Sequence, residues 1–162
     1  MYIYLCGNSF MQLEKALQSS KFSSPVQKAH LNVLYTAWWL KTQLTKTLKE
    51  FDLTHEQYNV LRILKGKHPE TLCVKEIAGR MIERSSNVPR IIDRLVLKKL
   101  VLRSTSEVDK RETVMQLTQA GMVLLAESTI AVDMLMQQLI TLSNHEAEQL
   151  SKLCEKLREN EQ

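Results

Sequence analysis

From Pro25 to Phe51 the chain runs without an internal Gly or Pro, and Val33, Ala37, Leu40, Leu44, Leu48 and Phe51 recur at spacings of four and three. That period lays them along one side of a helix, so the pattern predicts a long amphipathic helix over 25–51. Leu31, Leu34, Tyr35 and Trp38 lie off the stripe and give the helix a second apolar side, more than one domain core needs. Thr54 with Gln57 three residues on has the composition of a capping box. Tyr58, Leu61 and Leu64 mark the helix it opens, which "KGKHPE" ends.

Two short helical patterns stand back to back in "TLCVKEIAGRMIERSSNVPRIIDRLVLKKLVLR". Val74, Ile77, Ala78 and Met81 mark the first; Val88, Ile91, Ile92, Leu95 and Val96 mark the second. The polar turn "ERSS" between them supplies capping serines, so the second helix is expected to start at Ser85 or Ser86. Pro89 is then tolerated, because near a helix start it removes only an amide that has no partner. Two short helices joined by a tight polar turn are the pattern of a helix-turn-helix. Val88, Ile91 and Leu95 face the core. Ser85, Ser86, Asn87, Pro89, Arg90 and Arg94 become the candidates for entering a major groove, with the helix N-terminus aimed at phosphates.

"LVLRSTSEVDKRETVMQLT" follows at once and divides into a strand over 101–105, a turn around 106–110 and a return strand to Leu117. The result is a β-hairpin appended to a helix-turn-helix, a wing. Asp109, Lys110 and Arg111 form its charged tip. If the tip is extended, Asp109 and Arg111 share a side, where the carboxylate can hold the guanidinium. A projecting, oriented arginine suits a narrow, electronegative minor groove.

Thr118 caps a helix expected to reach about Leu142, with only Glu127 and Asp133 charged along it, and "SNHEAEQLSKLCEKLREN" adds a last amphipathic helix. Helices at both ends of the chain thus carry more apolar surface than one winged domain covers, which predicts a homodimer built from them. The expected fold is mainly α with a small β-hairpin: a winged helix-turn-helix lobe over 54–117, dimerisation helices over 25–51 and 118–160, and an N-terminal extension over 1–24.

Composition agrees with a largely helical chain, with four Gly and three Pro among 162 residues. Charge sharpens the picture. The net charge of +4 sits entirely between Arg80 and Glu112, where nine basic residues face five acidic ones, and the remainder balances at thirteen each. Such focusing is the footprint of a polyanion-binding surface. The run over 113–126 is too short and too polar to cross a bilayer, and "MYIYLCGNSF" lacks the basic leader of a secretory signal. Met11 offers an alternative start. Cys6, Cys73 and Cys154 are odd in number and widely spaced, which argues against a disulfide framework and points to a reducing cytoplasm. His30, His55, His68 and His145 show no close ligand pair, so no metal or cofactor is indicated. No nucleophile motif points to an enzyme.

These residues resemble the multiple antibiotic resistance regulator (MarR) family of transcription factors over roughly 25–160. "DKRETVMQLT" is similar to that family's Asp-x-Arg followed by Leu-Thr, carried here by Asp109, Arg111, Leu117 and Thr118; "IIDRLVLKKLVLR" and "LTHEQYNVLRIL" resemble its recognition helix and an earlier helix. The resemblance implies a homodimer on double-stranded DNA, reading a near-palindromic operator with recognition helices in major grooves and wings in minor grooves. It also implies release, commonly by an aromatic or phenolic molecule. Tyr35, Trp38, Trp39 and Tyr58 are the pocket candidates, with packing in a dimer core the alternative. The family's peroxide-sensing branch uses a cysteine early in the first helix; this chain has His30 near that place, so a cysteine-based redox switch remains only as an alternative function.

Overall fold

The computed structural model describes residues 11–19, 21–84 and 87–161, which divide into two compact units, one up to Gln43 and one from Leu44 onward. Helix α1 (Leu13–Leu17) lies in the extension, where the sequence signalled no element. Five residues are too few for a hydrophobic period to register. Helix α2 (Pro25–Lys49) starts as Pro25 dictates, with proline in the first turn and the Ser24 hydroxyl accepting the Gln27 amide at 3.1 Å. Within the first unit Lys28 pairs with Glu14. That hydrogen bond holds the Glu14 carboxyl below the usual carboxylate range. Val26, Leu34 and Trp38 stay exposed.

The second unit holds the winged lobe together with the end of α2 and the helices that follow the wing. Lys49 and not Phe51 ends α2, because Asp52 turns into the left-handed region (φ 52) and the Leu53 amide reaches back to the Leu48 carbonyl at 3.0 Å. Thr54 then caps α3 (His55–Lys67) in the anticipated box, its hydroxyl accepting the Gln57 amide while the Gln57 side chain accepts that of Thr54. Strand β1 (Leu72–Cys73) leads into α4 (Val74–Ala78), and α5 (Val88–Leu97) is followed by β2 (Val101–Thr105) and β3 (Thr113–Leu117). The sheet order is β1-β3-β2, all antiparallel, with Val101 opposite Leu117 and Thr105 opposite Thr113. The expected hairpin therefore carries a third strand. A two-residue strand has no alternation from which a sequence could announce it.

Helix α6 (Gln119–Leu139) ends three residues before Leu142, and α7 (Asn144–Leu157) follows. Thr118 both caps α6 and fastens it: its hydroxyl accepts the Gly121 amide and lies 2.8 Å from the Lys99 carbonyl. Gly121 is required at this approach, since a Cβ there would sit 2.1 Å from the Leu100 carbonyl oxygen. Leu48, Leu61, Leu64, Leu72, Ile77, Ile92, Leu95 and Met115 fill the lobe's interior. By length and composition α6 could cross a bilayer. Leu125 and Val132 instead pack into this core, and Glu127 and Asp133 would be charges within a span.

Candidate nucleic-acid interface

The α5 helix sorts its residues by period. Val88, Ile92 and Leu95 are buried, while Asn87, Arg90, Asp93, Arg94 and Leu97 are exposed. Core and exposed groups thus occupy opposite faces. The cap is Asn87, whose Oδ1 accepts the Arg90 amide at 3.3 Å, and the helix begins at Val88. The start expected at Ser85 or Ser86 is thereby corrected; those two serines lie outside the described residues. Asparagine caps as well as serine does, and with the cap here Pro89 falls in the first turn, where its missing N–H is harmless.

Helix α5 ends in a tight return. Lys99 takes the left-handed conformation (φ 59), its amide bonding the Val96 carbonyl, and the Leu100 amide bonds the Leu95 carbonyl at 3.0 Å. Strand β2 consequently departs directly from the end of the helix. Two members of the basic cluster are engaged within the lobe. Lys98 reaches the Asp52 carboxylate at 2.9 Å, fixing the C-terminus of α5 to the corner before α3. Arg103, on β2, pairs with Asp93 on the exposed face of α5. That pairing offsets the one carboxylate among the face's arginines and ties helix to wing. Arg90, Arg94, Lys110 and Arg111 are exposed and form no ion pair among the described residues.

The wing tip differs from the extended geometry expected. Residues 109–112 form a β-turn closed by the Glu112 amide on the Asp109 carbonyl at 2.9 Å. The Asp109 carboxylate accepts the Arg111 backbone amide at 2.9 Å, not its guanidinium. Strand alternation stops at a turn, so it cannot set the two side chains side by side. The Ser106 hydroxyl accepts the Val108 and Asp109 amides. Serine and aspartate thus build the loop's shape, and Lys110 and Arg111 project from it, exposed.

The aromatic candidates have two settings. In the first unit Tyr35 and Trp38 pack ring to ring with centroids 5.5 Å apart, and Trp38 is 60% exposed. Trp39 is half-buried. In the second unit Tyr58 is buried, its hydroxyl 3.1 Å from Thr129 Oγ1 and its ring beneath the Arg62 guanidinium. Tyr58 therefore links α3 to α6. A groove of about 520 Å³ opens elsewhere, between Lys49, Asp52, Gln57, Arg94 and Lys98, and none of the four aromatics lines it.

Cys73 precedes α4, and its amide donates to the Glu76 carboxylate at 2.8 Å. The backbone bond with Glu76 lowers the thiol's pKa, but burial and the side chains of Glu112 and Glu76 outweigh it and raise the thiol above its ordinary value. Such a thiol is little ionised near neutral pH and a poor nucleophile.

The sequence model of the MarR family matches residues 53–113, from the corner before α3 through the wing. The HTH-type transcriptional regulator YdcH of Bacillus subtilis is 32% identical over 104 residues, 63% of this chain and 71% of its own length. The HTH-type transcriptional regulator MgrA of Staphylococcus aureus is 30% identical over 112 residues, 69% of this chain and 74% of its own. The structure of Staphylococcus aureus MepR in complex with DNA aligns with a TM-score of 0.72 at 26% identity, covering 86% of this chain and 99% of that one.

Proposed function

Because this chain belongs to the MarR family of DNA-binding transcriptional regulators, we propose that it is a cytoplasmic homodimer that represses transcription from a near-palindromic operator. Asn87, Pro89, Arg90 and Arg94, with Ser85 and Ser86 ahead of them, enter the major groove. Asp109, Lys110 and Arg111 address the minor groove beside it. The observation that carries this reading is the exposed arginine face of α5, joined through the Arg103–Asp93 pair to a wing whose tip projects Lys110 and Arg111. The DNA complex of MepR supports it by likeness.

Selection of genomic fragments with the purified protein, followed by footprinting, tests the reading. Paired half-sites about one helical turn apart are expected. Affinity should fall with a log–log salt slope of about −0.9 per phosphate neutralised. Binding insensitive to salt, or a footprint without paired half-sites, would exclude this mode.

The release step is assigned to an aromatic or phenolic effector that meets the Tyr35–Trp38 pair, exposed apolar surface of the kind that marks binding sites. Such a ligand should quench tryptophan fluorescence and weaken operator binding in parallel, because effector and operator are then linked. A broad aromatic library that changes neither signal would remove this part. A redox switch gains no support from Cys73, whose thiol is raised in pKa; Cys154 is half-buried on α7, and Cys6 lies outside the described residues.

A further inference from the structure

The first turn of α3 and the loop ahead of α5 bring together three side chains that the sequence keeps apart. His55 and Glu56 are the first two residues of α3, and Glu83 lies between α4 and α5. One ligand-capable atom from each falls within 4.8 Å of the others, and all three residues are half-buried. A second observation marks the same helix face. Among the described residues His55 Nδ1 is buried without a hydrogen-bond partner, and so is Asn59 Oδ1, one turn further along α3. Two orphaned polar atoms at neighbouring positions are uncommon, because each carries a desolvation penalty.

We infer that His55, Glu56 and Glu83 form a binding site for a divalent first-row transition-metal cation, joining the start of α3 to the loop that leads into α5. One imidazole nitrogen and two carboxylates are a donor set for Zn²⁺, Mn²⁺, Fe²⁺ or Co²⁺, and not for a thiophilic ion. Such ligands bind at about 2.0–2.2 Å, so donors around one ion stand no more than about 4 Å apart. The observed spread of 4.8 Å closes by small side-chain rotations, in which the two glutamates exchange their present interactions for the ion. Two carboxylates also offset the ion's charge at a helix N-terminus, where the backbone dipole alone would repel it.

The consequence is mechanical. Glu83 stands four residues before Asn87, the cap of α5, so a bound ion restrains the loop that sets how α5 is presented.

Co²⁺ is the probe, added to the full chain and followed by visible absorption and thermal melting without DNA. One equivalent per chain is expected, with weak d–d bands, no thiolate charge-transfer band and a metal-dependent rise in melting temperature. Glu83→Gln and His55→Gln should each weaken Co²⁺ binding by about tenfold or more. Glu83→Asp, which keeps the carboxylate, should retain more affinity than Glu83→Gln. Melting of the metal-free Glu83→Gln protein, recorded beside metal-free wild type, separates ligand loss from misfolding. Unchanged affinity in both Gln variants, no saturable binding below millimolar Co²⁺, or a thiolate band abolished by Cys73→Ser would overturn the site. Since none of these readouts involves DNA, the outcome is independent of operator binding.

Discussion

Helices α5 and α7 are both amphipathic and both begin at a capping side chain, Asn87 for one and the Ser143–Glu146 box for the other. Their apolar faces meet different fates. In α5, Val88, Ile92 and Leu95 are sealed in the lobe, and the unsatisfied face is the charged one. In α7 no residue is buried, and Leu150, Leu153 and Leu157 are 48%, 61% and 57% exposed. A 14-residue helix that buries none of its side chains is marginal in water, whatever its cap contributes. The lesson is that α5 is finished by its own chain and awaits a polyanion, whereas α7 awaits an apolar surface, which we assign to a second copy.

The sharpest way to break this contrast is to empty the seat of α5. Ile92 is fully buried, so Ile92→Ala should lower unfolding free energy by about 2–5 kcal/mol in chemical denaturation. The loss should persist in any variant that is already monomeric. A cost below about 1 kcal/mol would mean that the lobe does not hold α5 as described.

The matching change in α7 is the double substitution Leu150→Ser with Leu153→Ser. If these side chains are buried only between copies, the dissociation constant of the dimer should rise by a hundredfold or more, on the order of 3 kcal/mol for two leucines. Sedimentation at micromolar concentration reads it. The lobe should keep its secondary structure by circular dichroism, and a variant that stays fully dimeric would sever α7 from the interface.

Reading order along the chain explains why some of this was legible in the sequence. Caps and periods are local: Thr54 with Gln57, Thr118, and β2 over Val101–Thr105 all stand where the residues indicated. What escaped depends on contacts between distant segments or on elements too short to have a period. Strand β1 exists because Leu72 and Cys73 meet Met115 and Val114. Two serines and an asparagine are nearly equivalent caps, so residue type alone does not choose the start of α5; the bond from the Arg90 amide to Asn87 Oδ1 does. An extended tip would set Asp109 beside the guanidinium; the turn instead gives its carboxylate a nearer donor, the Arg111 amide. Glu83 joins His55 only through tertiary packing, so the spread of histidines along the chain concealed the cluster. The DNA-facing candidates themselves came from charge and period, and the structure leaves Arg90, Arg94, Lys110 and Arg111 exposed.

On the charged side of the comparison, Arg111→Ala should reduce operator affinity by about 1–3 kcal/mol and leave the melting temperature alone, since the tip is exposed. Asp109→Ala should do smaller damage through the backbone, because it removes the acceptor that shapes the turn. A double-mutant cycle on operator affinity then separates the two roles: loss of the turn matters less once the arginine is gone, so the pair should be non-additive. Additive effects would show that the turn's shape and the arginine's contact are independent.

The smallest effect sits where α5 hands over to the wing. Lys99 holds a left-handed conformation that a side chain disfavours and glycine accepts freely, and it closes the return that seats Leu100 for β2 and Gly121. Lys99→Gly should therefore stabilise the folded chain by about 0.5–1 kcal/mol, the opposite sign to Ile92→Ala. Because Lys99 also belongs to the basic cluster, the same change removes one positive charge beside the interface. If Lys99 touches a phosphate, operator affinity should weaken alike for all sequences and the salt slope should shrink by about one. If it does not, the slope should stay fixed while denaturation shifts to higher denaturant. A destabilised Lys99→Gly protein would show that the lysine side chain contributes packing that outweighs the relief of its backbone, and would move Lys99 from the charged side of α5 to the sealed one.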